Sequence, residues 1–230
     1  MEETRVSVER VNAQAKQKFL TGVYGWMFLA LVVSAATAFF TASNTSMVKL
    51  LFSNGFIMIL ALGEIALVWW LSASIRKISM QSAVIGFITY SVLNGITLSS
   101  ILLYYTGASV ASVFITCAAM FGIMSLYGLT TKSNLMSAGR YLMMGVIGII
   151  IASLLNIFIR SNTLDWLVSV VTVVVFTGLT AYDSQKMLAV SRRADGSEMF
   201  KKAAIIGALE LYLDFINMFL ALLRLFGRRK

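Results

Sequence analysis

AAIIGALELYLDFINMFLALLRLF, residues 203–226, is long and apolar enough to cross a bilayer, yet it carries Glu210, Asp214, Asn217 and Arg224. About 20 apolar residues cover the hydrocarbon core, and a charged side chain at that depth costs at least ~2.5–3.5 kcal/mol on insertion scales. Such a group faces a bundle interior and has a partner or a task. The four polar residues follow one another at offsets of four, three and seven, along one stripe of an α-helix. A helix striped in this way is poorly suited to lipid on all sides. It is expected at the centre of a bundle with the stripe lining a polar cavity; the plainer alternative is a hydrogen-bonded seam between helices.

Six further segments match it in length and apolarity: about 19–41, 52–74, 82–104, 108–129, 139–159 and 165–187. The 230 residues are 59% apolar and only 13% charged, with a mean hydropathy of +0.84, far from the balance of a soluble domain. The apolar runs are continuous rather than alternating, which favours helices over a barrel. The expected fold is an all-α membrane protein, a seven-transmembrane-helix bundle. Its parts are an N-terminal tail (1–18), one seven-helix domain (19–226) and a basic C-terminal tail (227–230). There is no proline, so any helix break falls to Gly, Ser or packing. The polar segment 188–202 reads as a loop, with Ala194-Asp195-Gly196 as its turn signal. The acidic start and the long apolar run before Ala36-Thr37-Ala38 argue for an uncleaved first helix rather than a signal peptide.

The net charge of +9 is distributed in a way that speaks for a membrane and against nucleic acid. Lys and Arg cluster in the N-terminal tail (Arg5, Arg10, Lys16, Lys18), after the second span (Arg76, Lys77) and after the fourth (Lys132, Arg140). They recur between the sixth and seventh (Lys186, Arg192, Arg193, Lys201, Lys202), while the alternate loops carry only Lys49 and Arg160. Positive-inside counting places the N-terminus in the cytoplasm. Arg228, Arg229 and Lys230 break the pattern: either the last segment dips in and returns, or the earlier helices outvote its charges and it crosses.

The chain has no histidine and one cysteine, Cys117, in mid-span. Histidine metal sites, Ser-His-Asp triads and disulfide frameworks are excluded. Titration near neutral pH then falls to the intramembrane acids. Asp183, in the sixth span, and Asp214, in the seventh, are the leading candidates. Two carboxylates close together in a low-dielectric site do not both ionise cheaply, so the pair is expected to share a single proton and to act as a pH sensor. Glu64, Glu210 and Asn217 are auxiliary candidates. Arg76 lies twelve residues after Glu64, about 18 Å along a helix, where it either snorkels outward or folds in as a counter-ion. An intramembrane aspartyl protease is the weakest reading: Tyr182-Asp183 supplies a YD, but Leu211-Tyr212-Leu213-Asp214 lacks the GxGD partner.

The segments LNGITLSS (93–100), GLTAYDSQK (178–186) and above all LYLDFINMFLALLRLFG (211–227) resemble the Bax inhibitor-1 family, also called the transmembrane Bax-inhibitor-motif family. MFGIMSLYGLTTK (120–132) is most similar to its bacterial inner-membrane branch. The resemblance spans all seven helices. It implies six helices around a central, polar-striped seventh, and a pH-sensitive calcium leak controlled by paired aspartates that map onto Asp183 and Asp214. Family members are also described as cytoprotective, and one bacterial relative as a modulator of a membrane-bound protease. In the best understood bacterial relative, a second-helix arginine eleven residues after a glutamate engages the aspartates. Here the interval is twelve and Lys77 follows, so Arg76 and Lys77 both qualify.

Two functions are therefore expected to compete. One is a passive, pH-gated cation leak with calcium as permeant ion and no other cofactor. The other is a non-transporting protein that restrains a membrane protease or another partner. Neither is an enzyme.

Overall fold

The computed structural model describes the backbone of residues 2–53 and 55–230 and the side chains of 14–53 and 55–230. Among the described residues there are eight helices and no strand: α1 (Glu2–Ser43), α2 (Thr45–Leu51), α3 (Phe56–Ser74), α4 (Met80–Tyr104), α5 (Gly107–Thr130), α6 (Met136–Ile159), α7 (Asn162–Ser191) and α8 (Glu198–Phe226). All but α2 contain a stretch long and apolar enough to cross a membrane, that of α1 being Gln14–Ser43. These seven stretches are the seven expected spans.

Several helix ends lie beyond the apolar runs, whereas α3 starts at Phe56, inside the expected 52–74. Hydropathy reports how much chain sits in hydrocarbon, whereas a helix continues as long as its residues favour it and a cap is absent. Thus α7 extends to Ser191 and α8 starts at Glu198, which shortens the expected loop 188–202 to six residues. Gly196, at φ +79°, makes the reversal, and the Asp195 carboxylate accepts the Ser197 amide at 2.8 Å. The expected tail 1–18 is helical where described, since α1 starts at Glu2; the side chains of 1–13, Arg5 and Arg10 among them, lie outside the described residues. The short α2 was not foreseen. Its start is set by Asn44, whose side chain accepts the amides of Ser46 and Met47, an N-cap.

The chain forms two compact units, Met1–Tyr104 with Ala189–Leu209, and Tyr105–Leu188 with Glu210–Lys230. In the first, α4 is the spine: α1 and α3 both pack on it. The Ser34 hydroxyl of α1 donates to the Ser91 carbonyl of α4 at 2.7 Å, and Gly95 lets the two backbones approach, since a Cβ there would lie 2.6 Å from the Ser34 carbonyl. Lipid tails are as apolar as leucine, so close approach and hydrogen bonds carry helix association where hydrophobicity does not.

The second unit repeats the device. A Cβ on Gly128 of α5 would overlap the Ala181 carbonyl of α7, and one on Gly139 of α6 would overlap the Tyr182 ring. Phe114 and Phe121 of α5 meet Phe215 of α8 edge-on. At one end the C-terminal tail folds onto the start of α5: the Thr106 amide donates to the Arg228 carbonyl, the Arg228 amide donates to the Ser109 hydroxyl, and Arg224 stands 3.7 Å from Asp165 at the start of α7. Helix α8 is unbroken over Glu198–Phe226 and long and apolar enough to cross a membrane.

Large apolar side chains face outward, Phe158 at 84% and Trp69 at 78% exposure among them, as a bilayer solvent allows. Helix α8 is the exception: 72% of its apolar stretch is buried, against 44% or less in the other six.

Candidate functional site

The sequence Tyr182-Asp183-Ser184-Gln185-Lys186 on α7 gives each side chain a different neighbour, because successive residues of a helix point in directions about 100° apart. Tyr182 covers Gly139. Ser184 hydrogen-bonds Ser125 of α5 at 2.8 Å. Gln185 accepts the Leu135 amide and donates to the Ser133 carbonyl, each at 2.8 Å, and so fixes the loop between α5 and α6. Asp183 and Lys186 are left to face α8, one turn apart on the same side.

From α8, Glu210 and Asp214 answer them at i and i+4. The Lys186 ammonium donates to both Glu210 carboxylate oxygens at 2.8 Å and stands 3.7 Å from Asp183. The Asp183 and Asp214 carboxyl groups are near neighbours, each in the other's field. Two buried carboxyl groups so placed do not both ionise cheaply, which favours one proton shared between them. Asp183 is 7% and Asp214 4% exposed, so this proton sits where ionising both acids is most costly. Among the described residues no N–H or O–H reaches Asp214 Oδ2. Three carboxyl groups, one shared proton and one ammonium leave the cluster with one negative charge.

Of the sequence candidates, Asp183, Asp214 and Glu210 are brought together. Asn217, one turn on from Asp214, returns its amide to the Leu213 carbonyl of its own helix at 2.8 Å. Glu64, Arg76 and Lys77 belong to the other unit. Glu64 is buried on α3 and accepts from Asn94 at 2.9 Å and Thr97 at 2.5 Å, both on α4. Arg76 and Lys77 are exposed in the turn after α3. The cation beside Asp183 is Lys186, which sequence reading had counted with the loop charges; its signal was the i, i+3 spacing from Asp183.

Among the described residues no three His, Cys, Asp or Glu side chains converge as a metal-ligand group. A calcium ion takes six to eight oxygens, so most of its shell here would have to come from water and backbone carbonyls.

Residues 16–230 match the sequence model of the family described as "Inhibitor of apoptosis-promoting Bax1". The chain is 46% identical over 217 residues to inner membrane protein YbhL of Escherichia coli K12, covering 93% of each chain. It is 43% identical to an uncharacterised protein of Borreliella burgdorferi, with 96% of this chain and 97% of that one covered. An uncharacterised membrane protein of Streptococcus pyogenes serotype M1 is 39% identical over 73% of this chain and 72% of its own length.

Proposed function

The chain belongs to the Bax inhibitor-1 family, and from that premise we propose that it is a passive, proton-sensitive cation leak in a bacterial inner membrane, with calcium as the permeant ion. The observation that carries this reading is the buried pair of acids, Asp183 and Asp214, with Lys186 and Glu210 beside it. A proton and a cation compete for the same two carboxyl groups. With the shared proton gone the cluster holds two negative charges and draws a cation in; with a second proton added it is neutral and does not. Lys186 offsets part of the negative charge, which keeps cation binding weak enough for release, as conduction requires. The aspartates act on protons and ions, and no covalent step is assigned to them. The inner-membrane placement follows the name of the Escherichia coli relative.

The test is calcium flux into dye-loaded proteoliposomes while the bath is stepped from about pH 8 to about pH 5, a range wide enough to change the proton count of a coupled pair. Wild-type flux is expected to vary with pH. Asp214→Asn leaves Asp183 as the pair's one ionisable acid, so the cluster reaches at most one negative charge and the variant's flux is expected to be lower than the wild type's at alkaline pH and to vary less with pH. Equal flux from both proteins at every pH would overturn the proposal and leave the carboxyl pair as a seam between α7 and α8, the role of a protein that binds a partner without transporting.

A further inference from the structure

Away from the carboxyl pair, the described residues of the first unit enclose a groove of about 540 Å³ between the start of the α1 span, the 192–197 loop and the first turns of α8. Its lining changes character along its length. At the outer end stand Gln14, Lys18 and Lys201; eight and twelve residues further along α1 from Gln14 the wall is Gly22 and Trp26, faced by Ala204 of α8. Lys18 precedes Trp26 by eight residues, about 12 Å of helix, so the groove runs from two ammonium groups to an apolar floor.

We propose that this groove holds one anionic phospholipid, its phosphodiester between Lys18 and Lys201 and one acyl chain along Gly22, Trp26 and Ala204. Three observations on different parts of the molecule converge on that occupant. Among the described residues, neither the Lys18 nor the Lys201 side chain makes an ion pair or hydrogen bond, whereas the neighbouring Lys202 is committed to the Ile78 carbonyl at 3.0 Å and to Glu198. Among the described residues of the lining, the two ammonium groups outnumber the one carboxylate, that of Asp195. This end of the chain is also its basic end, with Arg76, Lys77, Arg192 and Arg193 exposed around it, the side that positive-inside counting gives to the cytoplasm and its anionic leaflet. A soluble phosphate would use the lysines but leave the apolar floor empty; a neutral lipid would use the floor but not the lysines.

The whole protein, stripped of lipid in a neutral detergent, is titrated with phosphatidylglycerol, phosphatidylcholine and chain-free glycerophosphoglycerol while its melting temperature is followed. Phosphatidylglycerol is expected to raise the melting temperature and to half-saturate at a concentration about thirtyfold below phosphatidylcholine, the worth of two lysines near a surface. The double variant Lys18→Gln/Lys201→Gln is expected to lose that preference, and Lys132→Gln, in another loop, to keep it. Both lysines are exposed, so their replacement leaves the fold intact; if the double variant does not fold, the wild type at low and high salt reads the same contact, the preference shrinking as salt rises. Equal binding of the two lipids, an unchanged preference in the folded double variant or in high salt, or binding of the chain-free headgroup as tight as that of phosphatidylglycerol would each overturn the proposal.

Discussion

Lys186 holds the Glu210 carboxylate through two 2.8 Å contacts and stands within reach of Asp183, so its removal changes both stability and charge. The Lys186 and Glu210 side chains are 37% and 31% exposed, which tempers the pair with water; Lys186→Met is expected to cost about 1 kcal/mol, read by a double-mutant cycle with Glu210→Gln in thermal melts. The same variant makes the cluster more negative, so calcium flux should half-saturate at lower calcium than in wild type. Elsewhere, hydrogen bonds from the Ser197 side chain and amide hold the Asp195 carboxyl below the usual carboxylate range. Its folded-state value lies below its unfolded one, so its support of the 192–197 turn is complete above about pH 4 and fades as pH falls through the folded value. A carbon-detected NMR titration should place Asp195 below an unstructured aspartate, and Ser197→Ala should move it back. Asp183 and Asp214 were legible as lone carboxylates in apolar runs. Lys186 was not, because a lysine at the end of such a run carries the same signal whether it points to the lipid surface or across to α8.

The seven membrane stretches were legible because continuous apolar runs of that length have few other uses. The ends of α1, α7 and α8 were not, because Lys, Glu, Gln and Ala extend a helix past the hydrocarbon without a hydropathy signal. Small residues at helical spacing are equally mute: the sequence does not say which glycine meets a backbone. Gly95 of α4 and Gly128 of α5 do, while a Cβ at Gly122 or Gly148 meets nothing within 4 Å. Gly95→Ala and Gly128→Ala are therefore expected to destabilise by about 1–3 kcal/mol, the range for overpacking a tight contact. Gly122→Ala and Gly148→Ala should be neutral or gain up to about 1 kcal/mol from helix propensity. Melting temperatures in one detergent compare all four. Similar shifts for both pairs would contradict the packing described.

For the molecule as a whole, the charge pattern predicts an orientation for every connection but leaves the tail ambiguous. Arg228 joins the start of α5 through Thr106 and Ser109, and Arg224 stands against Asp165, so the basic tail is held at the start of α5. An alkaline phosphatase fused after Lys230 is expected to be active outside the cytoplasm, and one fused ahead of the first span inactive. A cytoplasmic C-terminus would contradict a seventh crossing. The functional account rests on one proton held between Asp183 and Asp214. Infrared difference spectroscopy of the protein in lipid, in the carbonyl region of protonated carboxylic acids, measures that proton directly. The account predicts one protonated-carboxyl band that disappears in both Asp183→Asn and Asp214→Asn; a band unchanged in either variant, or absent from the wild type, would contradict it.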